Sequence, residues 1–85
     1  MKNWSVYLLK CSDSSLYCGV TKDIKKRILE HNKGSASKYT RSRLPVVLEK
    51  IRSGLTKTEA YKLEYRIKKL PAGKKAESLN DFKII

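Results

Sequence analysis

Two short runs of β-favouring residues, separated by a small turn-forming stretch, constrain this chain more than any other feature. Trp4-Ser5-Val6-Tyr7-Leu8-Leu9-Lys10 carries Trp4, Val6 and Leu8 at alternate positions, and Leu16-Tyr17-Cys18-Gly19-Val20-Thr21 reads as a second strand. Between them stands Cys11-Ser12-Asp13-Ser14-Ser15, so a β-hairpin is expected. Side chains alternate with period two along a strand, and the loop length therefore decides where the tyrosines go. A loop of three or five residues puts Tyr7 and Tyr17 on one face; a loop of two or four puts them on opposite faces.

A helix is expected next over Lys22 to Asn32, with Thr21 as its cap and Ile24 and Ile28 as its apolar pair. Arg27 and His31 are four residues apart, one turn above the other at the border of that pair. Gly34 ends the helix. Ser35 to Leu44 is a polar, basic connector, and Pro45 opens a third strand through Ile51. Thr56-Lys57-Thr58-Glu59 has the form of a capping box for the longest helix, whose stripe is Ala60, Leu63, Ile67 and Leu70, with Pro71 as the stop. The remainder is lysine-rich, then ends in Phe82-Lys83-Ile84-Ile85, a short helix end or an edge strand. The expected order is ββαβαα: an α/β (α+β) fold with a small, three-stranded, mostly antiparallel sheet flanked by helices. One domain over residues 1–85 is expected, its core at about 4–70 and a basic extension at 71–85.

Charge narrows the function. Twenty Lys and Arg against eight Asp and Glu leave a formal net charge of +12 on 85 residues. Such a field favours a polyanionic partner, nucleic acid above all. With 40% apolar residues the chain is too hydrophobic for a disordered basic tail, and its apolar runs are too short to span a bilayer. Cys11 and Cys18 lack the companions of a zinc site, and no secretory h-region precedes them, so reduced thiols in a cytoplasmic setting are expected. Cys18 reads as a small apolar strand residue.

Four kinds of side chain stand out for chemistry: the strand phenols Tyr7 and Tyr17, the helix pair Arg27 and His31, and Glu64 at the margin of the long helix's stripe. Each has an ordinary duty too. A strand tyrosine usually packs, a helix arginine covers apolar surface, a lone histidine satisfies a hydrogen bond and a marginal glutamate is solvated. Together in a strongly basic chain they make a set suited to phosphodiester chemistry: a carboxylate for a cation, a guanidinium and phenols.

Ser5-Val6-Tyr7 followed by Tyr17-Cys18-Gly19 resembles the paired signature of the GIY-YIG nuclease superfamily. Arg27, His31 and Glu64 fall where that family places its helix arginine, helix histidine and metal-binding glutamate. His31-Asn32-Lys33-Gly34, Lys38 to Val46 and Glu64 to Lys68 extend the likeness to the small, stand-alone bacterial members, over about residues 4 to 70. Ser5, Val6 and Cys18 depart from the signature but leave both phenols and Gly19 in place. Tyr39 takes a connector position that relatives fill with His or Tyr. Asn80 is the candidate for an asparagine that some larger members use.

The resemblance implies metal-dependent hydrolysis of a DNA phosphodiester by in-line attack of water. Glu64 would hold Mg²⁺ (or Mn²⁺), and Arg27 would bind the scissile phosphate. Tyr7 is preferred as general base, His31 accepting its proton, with Tyr17 positioning water or phosphate; the choice between the two phenols stays open. Lys38, Tyr39, Arg41 and Arg43 would hold the nucleic-acid backbone. Selection of branched or single-stranded DNA by shape is expected rather than sequence specificity, with RNA left open as a ligand, in a monomer that avoids membranes and serves DNA repair or processing. The alternative is a non-catalytic nucleic-acid-binding module on the same scaffold.

Overall fold

A computed structural model of the chain describes residues 2–83. Strand β1 (Trp4–Lys10) is the centre of a three-stranded sheet, antiparallel to β2 (Leu16–Thr21) on one side and β3 (Val47–Leu55) on the other. Helices α1 (Ile24–Asn32), α3 (Lys57–Lys68) and α4 (Ala72–Ser78) complete the expected ββαβαα order, and the connector adds one helical turn, α2 (Lys38–Arg41).

The hairpin has the five-residue loop. Lys10 faces Leu16, Leu9 faces Tyr17 and Tyr7 faces Gly19, so the two tyrosines share a face, their ring centroids 6.4 Å apart. Asp13 builds the turn. Its Oδ1 accepts from the Ser15 amide (3.0 Å) and hydroxyl (2.6 Å), while Ser14 takes a left-handed φ of 68°.

Val6, Tyr7, Leu8 and Leu9 are all buried, because β1 is covered on both faces. Val6, Leu8 and Cys18 pack on Ala60, Leu63 and Ile67 of α3, joined by Leu55 and Leu79. Tyr7, Leu9, Cys11 and Val46 pack with Ile24 and Ile28 of α1. The capping box of α3 is present in both directions: Glu59 N donates to Thr56 Oγ1 (3.1 Å) and Thr56 N to Glu59 Oε1 (2.9 Å).

Three local expectations change. The α1 cap is Asp23, whose carboxylate accepts from the Lys26 amide at 3.2 Å; Thr21 instead brackets the Asp23 backbone, so α1 starts at Ile24. The connector is not wholly irregular, because the Ser37 hydroxyl caps α2 by accepting from the Tyr39 and Thr40 amides. Pro45 precedes β3 rather than opening it, and β3 continues past Ile51 to Leu55. As the expected order requires, the lysine-rich stretch after Pro71 forms α4, and its exit is anchored by Arg52, whose Nη1 donates to the carbonyls of Leu79 (3.2 Å) and Phe82 (2.5 Å). Ile84 and Ile85, part of the tail read as helix end or edge strand, lie outside the described residues.

Candidate active site

The α1 face of the sheet carries a buried path of hydrogen bonds. Tyr7 is 1% exposed and His31 fully buried, with the Tyr7 hydroxyl 2.9 Å from His31 Nε2. The other ring nitrogen, Nδ1, lies 2.8 Å from Thr40 Oγ1. Thr40 Oγ1 donates its own hydrogen to the Ser37 carbonyl at 3.3 Å, which leaves it to accept from Nδ1–H. The neutral tautomer is thereby set: Nε2 is the acceptor and receives the Tyr7 O–H. Thr40 was missed in the sequence because its signal, a threonine in a basic connector, is indistinguishable from a solvated loop residue.

Two backbone-level devices hold this path. Gly19 lies directly across from Tyr7, and a Cβ there would overlap the Tyr7 hydroxyl and Cζ. The third residue of Tyr17-Cys18-Gly19 is thus the floor on which the Tyr7 phenol lies. Asn32 clamps the chain after α2: its Oδ1 accepts from the Val46 amide (2.8 Å) and its Nδ2 donates to the Val46 carbonyl (3.1 Å). That pair of hydrogen bonds ties the end of α1 to the entry of β3, next to Leu9 and Tyr7 in the same apolar cluster.

Around the path the expected residues separate into two groups. Tyr17 lies edge-on to His31 (5.2 Å between centroids) and stacks on Tyr39 (5.9 Å). Arg43 covers the Tyr39 ring at 3.8 Å and is pinned by Asp13 Oδ2 at 3.0 Å. Arg41 runs along Gly34, where a Cβ would meet its Cγ at 3.3 Å. Lys38 opens α2 and is exposed. Arg27, one turn before His31, pairs with Glu30 at 3.1 Å; both side chains are more than a third exposed, so the pair is weak and open to displacement.

Glu64 approaches from the other face. It projects from α3 near Cys18, at the free edge of β2, and pairs with Lys68 at 3.3 Å. Lys68 reaches to 5.9 Å from the Tyr17 ring centroid, which links the two groups around the β2 edge. Asn80 is exposed in the turn after α4. Among the described residues no three His, Cys, Asp or Glu side chains gather as a metal cage. A single half-buried carboxylate fits a hydrated hard cation such as Mg²⁺, which keeps waters and takes ligands from substrate phosphate. It does not fit a closed zinc site.

Burial dominates the titration behaviour here. It pushes the Tyr7 phenol well above the usual phenol range, with Tyr17 adding to the rise and Arg27 opposing it. Burial, then Arg27, lowers His31, so its imidazole is neutral at pH 7. Burial also pushes the Cys18 thiol up to about 12, the Glu64 carboxylate adding to the rise. In the unfolded chain His31 titrates near 6.5. Below that pH the unfolded state binds a proton that the folded state refuses, so stability is full above about 6.5 and is lost as pH falls toward the depressed folded value. Thermal melts taken downward from about pH 7.5 should show this loss before the carboxylate range is reached, and a His31→Gln variant should lack that slope. A wild-type melting temperature flat across that window would contradict a neutral buried imidazole.

The fold has known counterparts. Residues 3–76 match the family model described as the GIY-YIG catalytic domain. The chain therefore belongs to the GIY-YIG family, a family of nuclease domains. It is 47% identical over 70 residues to a UPF0213 protein of Halobacterium salinarum, covering 82% of this chain and 91% of that protein. It is 43% identical over 76 residues to a UPF0213 protein of Nitratidesulfovibrio vulgaris, covering 89% and 69%. A solution NMR structure of a UPF0213 protein from Bacillus halodurans superposes with a TM-score of 0.55 at 41% identity, over 95% of this chain and 85% of that one. That of an E. faecalis protein gives 0.63 at 37%, over 96% and 91%.

Proposed function

We propose that the protein is a metal-dependent endonuclease that hydrolyses DNA phosphodiester bonds, selecting its substrate by structure rather than sequence, in DNA repair or processing. The observation that carries this reading is the Tyr7–His31–Thr40 path ending beside Arg27. It supplies a proton acceptor where a phosphate would be held. A preformed phenolate is a poor base here: a free phenol is only ~0.1% ionised at pH 7, and the burial of Tyr7 lowers that further. The path avoids the difficulty by relay. Tyr7 oxygen takes a proton from the attacking water as its own hydrogen passes to His31 Nε2, already 2.9 Å away. No free phenolate forms, and Thr40 holds the resulting imidazolium through Nδ1–H.

Arg27 binds the scissile phosphate, exchanging its exposed partner Glu30 for a fork-shaped contact that strengthens as charge accumulates. Tyr17, held between His31 and Tyr39, orients water or phosphate. Lys38, Tyr39, Arg41 and Arg43 hold the backbone of the DNA. Glu64, released from Lys68, holds Mg²⁺ or Mn²⁺, whose chemistry is Lewis-acid stabilisation of the phosphate and the departing oxygen.

The test is a cleavage screen of purified protein against single-stranded, duplex, flapped and branched DNA with Mg²⁺ or Mn²⁺. Cleavage that stops when the metal is chelated is the expected result. No cleavage of any substrate, or cleavage indifferent to chelator, sinks the reading. The Glu64–Lys68 pair favours one alternative, a non-catalytic nucleic-acid-binding module in which that carboxylate only holds a lysine. Salt-sensitive binding untouched by chelator, with no cleavage, is its signature.

A further inference from the structure

The outer surface of α3 is not used by the chemistry above, yet it is built unlike an ordinary solvated face. Lys57, Tyr61, Tyr65 and Lys69 follow one another at intervals of four and therefore form a single row along the helix. Tyr61 is 46% and Tyr65 64% exposed, both far above what a packing tyrosine needs. Trp4 extends the row, its ring 6.0 Å from Tyr61, with Lys57 and Lys22 within 6 Å of its centroid. Lys69 caps the other end at 4.2 Å from the Tyr65 ring. Tyr61, Tyr65, Lys62, Arg66 and Lys83 also line one groove. Its acidic lining residue, Glu59, is already engaged by Lys2 and the Thr56 amide.

The adjacent row of the same helix is Ala60, Glu64 and Lys68, so the tyrosines stand one step outward from the carboxylate at the β2 edge. Aromatic faces among uncompensated cations are what unpaired bases and their phosphates require. A duplex hides its base faces within its own stack, so it has nothing to lay on these rings. An acidic peptide would use the cations but leave the rings bare.

We propose that the Trp4–Tyr61–Tyr65 row of α3 is a stacking platform for unpaired bases, binding the single-stranded DNA arm that flanks the phosphate cleaved at Glu64. The location of that phosphate rests on the endonuclease reading; the platform itself does not.

The experiment measures anisotropy of a labelled oligothymidine and of a duplex of equal length, in chelator so that nothing is cut, with the full chain. Tyr61→Ala and Tyr65→Ala should each weaken single-strand binding about tenfold. Duplex binding should stay within about twofold, since its phosphate contacts remain. Tyr61→Phe and Tyr65→Phe should bind as wild type. Tyr65→Ala, at the more exposed position, decides the matter if the Tyr61 variant is unstable through its contact with Trp4. Equal weakening of both ligands, no weakening, or phenylalanine variants as poor as alanine would overturn the platform. The two readings fail separately. Tyrosine-dependent binding by a protein that cuts nothing leaves the platform and removes the nuclease; metal-dependent cutting with tyrosine-independent binding does the reverse.

Discussion

Glu64→Ala is expected to lower metal-dependent cleavage about a thousandfold while the protein stays folded. The size follows from the chemistry: a bound cation contributes several kcal/mol of charge stabilisation in the transition state, and each 1.4 kcal/mol is about a factor of ten in rate. The fold should be indifferent because the partner that loses its carboxylate, Lys68, is half exposed and can return to water. Chelation of the metal in the wild type and Glu64→Ala should then have the same effect, and applying both should add nothing. Rates measured under single-turnover conditions, with a thermal melt on the same samples, check this. A variant that retains cleavage within a few fold would remove Glu64 from the metal site.

Gly19→Ala is expected to damage stability and activity at once. The new methyl group would occupy the place of the Tyr7 hydroxyl and Cζ, inside a cross-strand pair whose two residues are both buried. Overpacking of this kind costs about 1–3 kcal/mol, and a domain of this size loses about 4–8 °C of melting temperature per kcal/mol. Displacing the phenol from His31 Nε2 also breaks the proposed proton path, so cleavage should fall by about 10²-fold or more. Tyr7→Phe in the Gly19→Ala background removes the overlapping oxygen and leaves the ring carbon Cζ, so it relieves part of the overlap. The melting-temperature losses should therefore be less than additive, whereas the two substitutions should be no worse together than singly for activity. Additive losses of stability would mean that the overlap with the Tyr7 oxygen is not what destabilises the Gly19→Ala variant.

The hairpin, the α3 capping box and its apolar stripe were legible in the sequence because each depends on residues close together in the chain. Alternation in Trp4–Leu9 and the Thr56–Glu59 spacing are local statements of this kind. Local rules also placed Arg27 one turn before His31. They failed where two local solutions compete. Thr21 and Asp23 are both good caps, and the winner is the one whose carboxylate reaches the Lys26 amide. Ser37 at the start of a basic connector was equally ambiguous until its hydroxyl met two amides.

For the site the division is sharper. From the residues came a list of groups able to do phosphate chemistry, and from the hairpin a condition for the two phenols to meet. Which loop length holds, and hence that Tyr7 and Tyr17 share a face, is a matter of pairing register. Thr40 as the partner of His31, Gly19 as the floor under Tyr7 and Asn32 as the clamp on Val46 all join residues 9 to 14 positions apart or on different strands. The direction in which each side chain leaves the backbone becomes a contact only after β1, α1 and the connector have packed. Chemistry-bearing residues and their local elements are properties of the chain read in order; the Tyr7–His31–Thr40 hydrogen bonds, the tautomer of His31 and the approach of Glu64 around the β2 edge exist only in the packed molecule, because burial and mutual distance are not written in sequence order.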